Sequence, residues 1–258
     1  MLRKQFVLPL IAFVLLAAVP SQRLPALADD PAQEAVEETA TATDDVAKEK
    51  KRKNEDKTSK IRMPKGTAAA IKGSPEIDGK VDEAWKQVPR VRVQQPIEAI
   101  QVLPVDEMAT ATVQFMWDDG HLYSLWRVTD KKLAPEADDD WQQDSVELFL
   151  DQDKKRSTSY EEDDAQYRVN CEGKLSGQGT GFDVNNLKAA TSVTKSGYIV
   201  EMAVDIKHVK LMPGMELGVE MQVNDNAGDG TRGAVAKWLH VEDDSWENTS
   251  KFGTLLIK

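Results

Sequence analysis

From residue 110 onward, apolar and polar side chains alternate along this chain in short, regular runs. "TATVQFMWD" (110–118), "HLYSLWRV" (121–128), "SVELFLD" (145–151), "QYRVN" (166–170), "YIVEMAVD" (198–205), "ELGVEMQVND" (216–225) and "FGTLLIK" (252–258) all carry the pattern. A period of two sends successive side chains to opposite faces, so these runs predict strands. Asp-Gly, Ser-Gly, Pro-Gly and Asn-Asp pairs punctuate them, and Asp119-Gly120, between the first two runs, predicts a hairpin turn. Only "KVDEAW" (80–85) and "DIKHVK" (205–210) have helical character, and both are short. Many strands, frequent turn signals and no long crossover helix predict an all-β domain: an antiparallel β-sandwich, jelly-roll-like, with one or two short helices.

The N-terminal part differs in kind. Arg3 and Lys4 precede a stretch from Phe6 to Val19 that is apolar but for Pro9, and Ala26-Leu27-Ala28 offers the small residues of a cleavage site before Asp29. That order predicts a signal peptide over residues 1–28 and an exported protein, periplasmic or extracellular. The apolar stretch falls short of the roughly twenty residues that span a bilayer, so no membrane span is expected after cleavage. Residues 29–62 are Ala, Thr, Glu, Asp and Lys with almost no large apolar side chain, which predicts a disordered charged spacer. Its "KEKKRK" run is flanked by acidic residues and reads as solvated. Residues 63–258 then make one domain. Cys171, the single cysteine, rules out an internal disulfide, so an apolar core must hold the domain together. A net charge of −11 argues against nucleic acid as a partner, since phosphates need a basic face.

Familiar catalytic patterns fail on context. Gly228-Asp229-Gly230-Thr231-Arg232-Gly233 spells GxGxxG, but no crossover helix follows it, and Asp225 and Asp229 would repel a phosphate. No phosphate-loop lysine motif, H-E-x-x-H or G-x-S-x-G occurs. His121, His208 and His240 lie far apart without metal-ligand spacing and read as ordinary strand or surface residues. Asp144 and Glu147, three apart on a strand, face opposite sides and cannot act on one glycosidic bond.

Trp141, in "DDDWQQDSVELFLD" (138–151), has only charged or polar neighbours. In the strand that follows it, Val146, Leu148 and Leu150 share a face that must be core, which sends Glu147 to the other side. Trp141 either folds back over the edge of that core or stands exposed for a ligand. Trp246, in "DDSWENTSKFG" (243–253), occupies the same kind of setting. Two tryptophans on polar loops suit the walls of a slot for a pyranose, whose C–H faces are apolar and whose rim is hydroxyl. Planar polar groups suit that rim, and Glu147, Arg168, Gln222 and Arg232 are the candidates, each with an ordinary reading as a surface or paired polar residue.

Together, "SPEIDGKVDEAW" (74–85), "WQQDSVELFLD" (141–151), "YEEDDAQYRVN" (160–170), "MQVNDNAGDGTRG" (221–233) and "SWENTSKFGTLLIK" (245–258) resemble the family 9 carbohydrate-binding modules of bacterial xylanases and related exported proteins. The resemblance runs from about residue 67 to the end of the chain. It implies a β-sandwich whose slot holds a sugar between two tryptophans and favours ends, especially reducing ends, of xylan and cellulose chains, as well as soluble sugars. Matched residue by residue, it places the clamp on Trp141 and Trp246 and the polar contacts on Glu147, Arg168, Gln222 and Arg232. Asp243 stands where the family can offer an asparagine; an aspartate accepts hydrogen bonds but lacks the amide's donors, so the sugar preference departs there. Members can also hold structural calcium; no ligand is placed, and the aspartate clusters are where to look. The glycine-rich "EGKLSGQGTGFD" (172–183) is idiosyncratic. The resulting expectation is a monomeric, non-catalytic binder of mono-, oligo- or polysaccharide chain ends. Two other classes stay open. One is an exported interaction domain that has lost its sugar; the other is a haem-binding electron-transfer domain of related fold, which would draw on Met116, Met202, Met212, Met215 and the histidines.

Overall fold

The computed structural model describes residues 63–258; the signal peptide (1–28) and spacer (29–62) expected from the sequence lie outside the described residues. In chain order the strands are β1 (Thr67–Lys72), β2 (Val91–Val93), β3 (Gln95–Pro96), β4 (Thr110–Trp117), β5 (His121–Thr129), β6 (Ser145–Asp151) and β7 (Asp164–Asn170). There follow β8 (Leu175–Gln178), β9 (Leu187–Thr194), β10 (Gly197–Asp205), β11 (Glu216–Asn226), β12 (Arg232–Lys237) and β13 (Gly253–Ile257). The domain is all-β, and its few helical pieces are single 3-10 turns.

The strands hydrogen-bond in the order β8-β7-β6-β11-β13-β1-β4-β5-β10-β9, with β12 beside β11, β3 beside β12 and β2 beside β4. Val146, Leu148 and Leu150 of β6 share one apolar cluster with Val113 and Phe115 of β4, Trp126 of β5 and Met202 of β10. The sheet therefore doubles over into two layers whose apolar faces meet, as in a sandwich. The strands are not all antiparallel: β1 lies parallel to both β13 and β4. Ala68, Ala69 and Ala70 are buried there, and because successive side chains alternate in direction, β1 is covered on both faces at the middle of the sheet.

The Asp119-Gly120 turn joins β4 to β5 as expected, with Asp118 Oδ1 accepting from the backbone N–H groups of Gly120 (3.0 Å) and His121 (2.8 Å). "KVDEAW" supplies a 3-10 turn over Glu83–Gln87 that plants a fully buried Trp85, whose indole N–H donates to Glu201 Oε1 at 3.1 Å. "DIKHVK" is not a helix. Asp205 ends β10, and the next backbone donors go elsewhere, Ile206 N to Gly120 O (2.9 Å) and His208 N to Gln152 Oε1 (3.2 Å), so no helical ladder forms. Met116 and Met202 are buried core filling, which removes both from the haem reading. Among the described residues, no helix is long and apolar enough to cross a membrane.

Candidate functional site

Register puts Arg168 of β7 opposite Glu147 of β6, Glu147 opposite Gln222 of β11, and Gln222 opposite Lys237 of β12. Their strand neighbours Tyr167, Leu148, Met221 and Ala236 belong to the core, so the period of two assigns this polar row to the outer face of the layer. One step along, Gln178 of β8 lies opposite Gln166 of β7, and Gln166 opposite Phe149 of β6.

Above this face lies a cavity of about 350 Å³, and all seven residues expected from the sequence line it: Trp141, Glu147, Arg168, Gln222, Arg232, Asp243 and Trp246. The volume falls in the range of small-ligand sites, roughly 300–1,000 Å³. Trp141 stands on the 3-10 turn Asp140–Gln142 just ahead of β6. It is 42% exposed and Trp246 is 46% exposed, so Trp141 does not seal the core. The Arg232 guanidinium lies 4.9 Å from the centroid of the Trp141 ring and donates to Asp243 Oδ2 at 2.6 Å. The Asp243 carbonyl accepts the Trp246 indole N–H at 3.1 Å. Asp243 thus connects, directly or through Arg232, with both tryptophans, and an asparagine there could not form the ion pair.

The cavity floor is charged yet internally neutralised. Glu147, only 1% exposed, accepts from Arg168 Nε (2.6 Å), Gln166 Nε2 (2.6 Å) and Asn224 Nδ2 (2.7 Å). Burial opposes its ionisation, but the charge and hydrogen bond of Arg168, with Asn224 and Lys237, outweigh it and hold the carboxyl below its ordinary range. Lys237 is fully buried; it donates to Gln222 Oε1 (3.0 Å) and Ser245 Oγ (2.6 Å), and lies 4.6 Å from the Phe149 ring centroid. Burial pulls its pKa down against the pull of Glu220 and Glu147. Two buried atoms in the wall, Gln166 Oε1 and Arg232 Nε, have no hydrogen-bond partner in the protein. Paired charges, spare hydrogen-bonding capacity and exposed indole faces suit a neutral ligand rich in hydroxyl groups.

Gln166, Gln178, Phe149 and Ser245 also line the cavity, and sequence reasoning missed them. Phe149 follows from Glu147 by the period of two. Gln166 and Gln178 are brought in by strand register, which the sequence does not display. Lys237, beneath them, is a lone lysine in the apolar run "AVAKWLHV". The glycine-rich stretch has a structural cause here: a Cβ on Gly177 would collide with the Gln166 carbonyl and the Phe182 ring, and Gly179 has φ +101°. The chain can then turn close to β7 and place Gln178, whose amide donates to the Trp246 carbonyl at 3.2 Å.

Asp144 and Glu147 belong to different clusters, as their spacing predicted. Asp144 gathers with Asp130 and Asp225, all buried, with carboxylate oxygens within 4.8 Å of one another. Burial, then neighbouring carboxylates, push Asp144 up to about 8 and Asp225 up to about 6, and Asp130 Oδ2 has no partner. Such a set of hard oxygen donors could supply part of the roughly six to eight oxygens that calcium takes. His121 is a strand residue beside Asp118 (2.9 Å) and Asp205 (3.3 Å), as expected. His240 departs from expectation: it is buried, off any strand, and grouped with Glu242 and Asp244.

The family described as "Carbohydrate family 9 binding domain-like" matches residues 77–258. The chain is 41% identical over 197 residues to "Exoglucanase XynX" of Acetivibrio thermocellus, covering 76% of this chain and 18% of that enzyme. It is 42% identical over 190 residues to "Endo-1,4-beta-xylanase A" of Thermoanaerobacterium saccharolyticum, covering 74% of this chain and 16% of that enzyme. The chain therefore spans less than a fifth of the length of these relatives. Among solved structures, it is similar to a family 9 carbohydrate-binding module from Caldicellulosiruptor kristjanssonii, seen in complex with glucose (TM-score 0.67) and with cellotriose (TM-score 0.68). Both are 32% identical to it and cover 74% of this chain, which in turn covers 95% and 93% of theirs.

Proposed function

Because the chain belongs to the family 9 carbohydrate-binding domains, we propose that its cavity holds a sugar at the end of a xylan- or cellulose-type chain, clamped between Trp141 and Trp246. The chain binds and does not itself cleave. The observation that carries the reading is the pair of half-exposed indoles lining one cavity with a polar, charge-balanced floor. The indole faces meet the apolar C–H faces of the ring. Glu147, Arg168 and Gln222 on the floor, with Arg232 and Asp243 at the rim, exchange hydrogen bonds with its hydroxyl groups. A cavity of about 350 Å³ is small for a groove that follows a polymer, which favours a chain end over an internal segment.

Asp130, Asp144 and Asp225 would hold the structural calcium of the family, supplying carboxylate oxygens to a hard cation. The N-terminal pattern supports export, with residues 29–62 as the tether of a monomeric binding domain.

Recognition of the reducing end, the chain end that the family resemblance favours, is tested by calorimetric titration with cellotriose and with the same trisaccharide reduced to its alditol at the terminal ring. The alditol should bind roughly a hundredfold more weakly, about 2.7 kcal/mol. Equal affinities would overturn reducing-end recognition while leaving sugar binding itself intact.

A further inference from the structure

We propose that His240, Glu242 and Asp244 form a site for one divalent transition-metal ion of the zinc class, at the base of the loop that carries Trp246. His240 is 3% exposed, yet its Nε2 has no hydrogen-bond partner, and neither has the buried Oδ1 of Asp244. The two atoms lie 2.9 Å apart, so the ring N–H and the carboxylate are close but out of line for a hydrogen bond. Glu242 Oε2 lies 3.7 Å from the same nitrogen. Two ligand atoms each about 2.1 Å from one metal ion stand roughly 3 to 3.5 Å apart, close to these separations.

Each of the three side chains turns one atom to this point and has its other atom engaged. His240 Nδ1 faces Ser245 Oγ at 3.4 Å, Glu242 Oε1 pairs with Lys251 Nζ, and Asp244 Oδ2 accepts from Asn248 Nδ2 at 2.8 Å. Contacts of this kind orient metal ligands and set the imidazole tautomer. The backbone is pinned as well: the Glu220 carboxylate accepts from the N–H groups of Trp238 (3.0 Å), Leu239 (3.2 Å) and His240 (2.9 Å). One imidazole and two carboxylates select a zinc-like ion over calcium, which takes oxygen alone. Asp243, Ser245 and Trp246, interleaved with or next to the ligands, all line the sugar cavity, so an ion here would brace that wall.

The alternative occupant of this geometry is a proton, giving an imidazolium–aspartate pair, and cobalt separates the two. Titration of the purified protein with Co²⁺ in excess calcium, which fills oxygen-only clusters, should take up one equivalent with visible d–d absorption that Zn²⁺ displaces. The Glu242 side chain is 61% exposed, so Glu242→Gln should fold normally and bind Co²⁺ more weakly by roughly tenfold or more. His240→Gln should abolish the visible bands. No absorption beyond that of aqueous Co²⁺, or bands unchanged in Glu242→Gln, would overturn the site. Neither readout depends on sugar binding.

Discussion

Removing Glu147 would do more than delete a proposed ligand contact, because three donors converge on its carboxylate and Arg168 loses its counter-charge. Breaking a buried pair from one side costs about 3–5 kcal/mol. Glu147→Ala should therefore lower the unfolding free energy by about that much in urea denaturation. Trp141→Ala should cost about 1 kcal/mol or less, because its ring is 42% exposed. The same distinction governed what could be read from the sequence. A tryptophan among aspartates is anomalous enough to attract attention, and all seven predicted residues do line one cavity. Lys237 and Gln166 escaped because a buried lysine and a strand glutamine become meaningful only once their cross-strand partners are known.

At the scale of elements, alternation identified the strands that have two unlike faces. It failed for β1 (TAAAIK), β9 (LKAATSVT) and β12 (RGAVAK), whose alanines and other small residues blur the alternation, and for the short β2, β3 and β8. The parallel insertion of β1 had no sequence signal at all, since pairing direction is decided by the whole sheet. Elements also meet at Asp130, Asp144 and Asp225, which join the segment after β5, the turn carrying Trp141 and β11. Asp144 is pushed from an ordinary 3.8 up to about 8, so the folded protein holds that proton more tightly than the unfolded chain does. The stability this group contributes is therefore fully present below about pH 4 and is lost as pH rises through about 8. Calcium would take the proton's place. Thermal scans in chelator should show the melting temperature falling between about pH 5 and pH 8, with the gain from added calcium growing over the same interval. A calcium effect that is absent, or equal at both ends of that interval, would contradict the assignment.

For the molecule as a whole, the net charge of −11 sits alongside a cavity whose charges are paired within its own walls. That combination fits a neutral ligand held by stacking and hydrogen bonds rather than by attraction of opposite charge. The chain corresponds to a small part of the exoglucanase and the xylanase it resembles, and under the clamp reading it would bind a glycan rather than hydrolyse it. The proposed function depends on Trp141 and Trp246 acting together as a clamp. Its most direct test is calorimetric titration with cellobiose, xylobiose and glucose, with calcium present and Trp141→Ala in parallel. Saturable one-site binding is predicted, weakened in the variant roughly thirtyfold or more, about 2 kcal/mol. No saturable heat with any of the three sugars, or equal binding by Trp141→Ala, would contradict it.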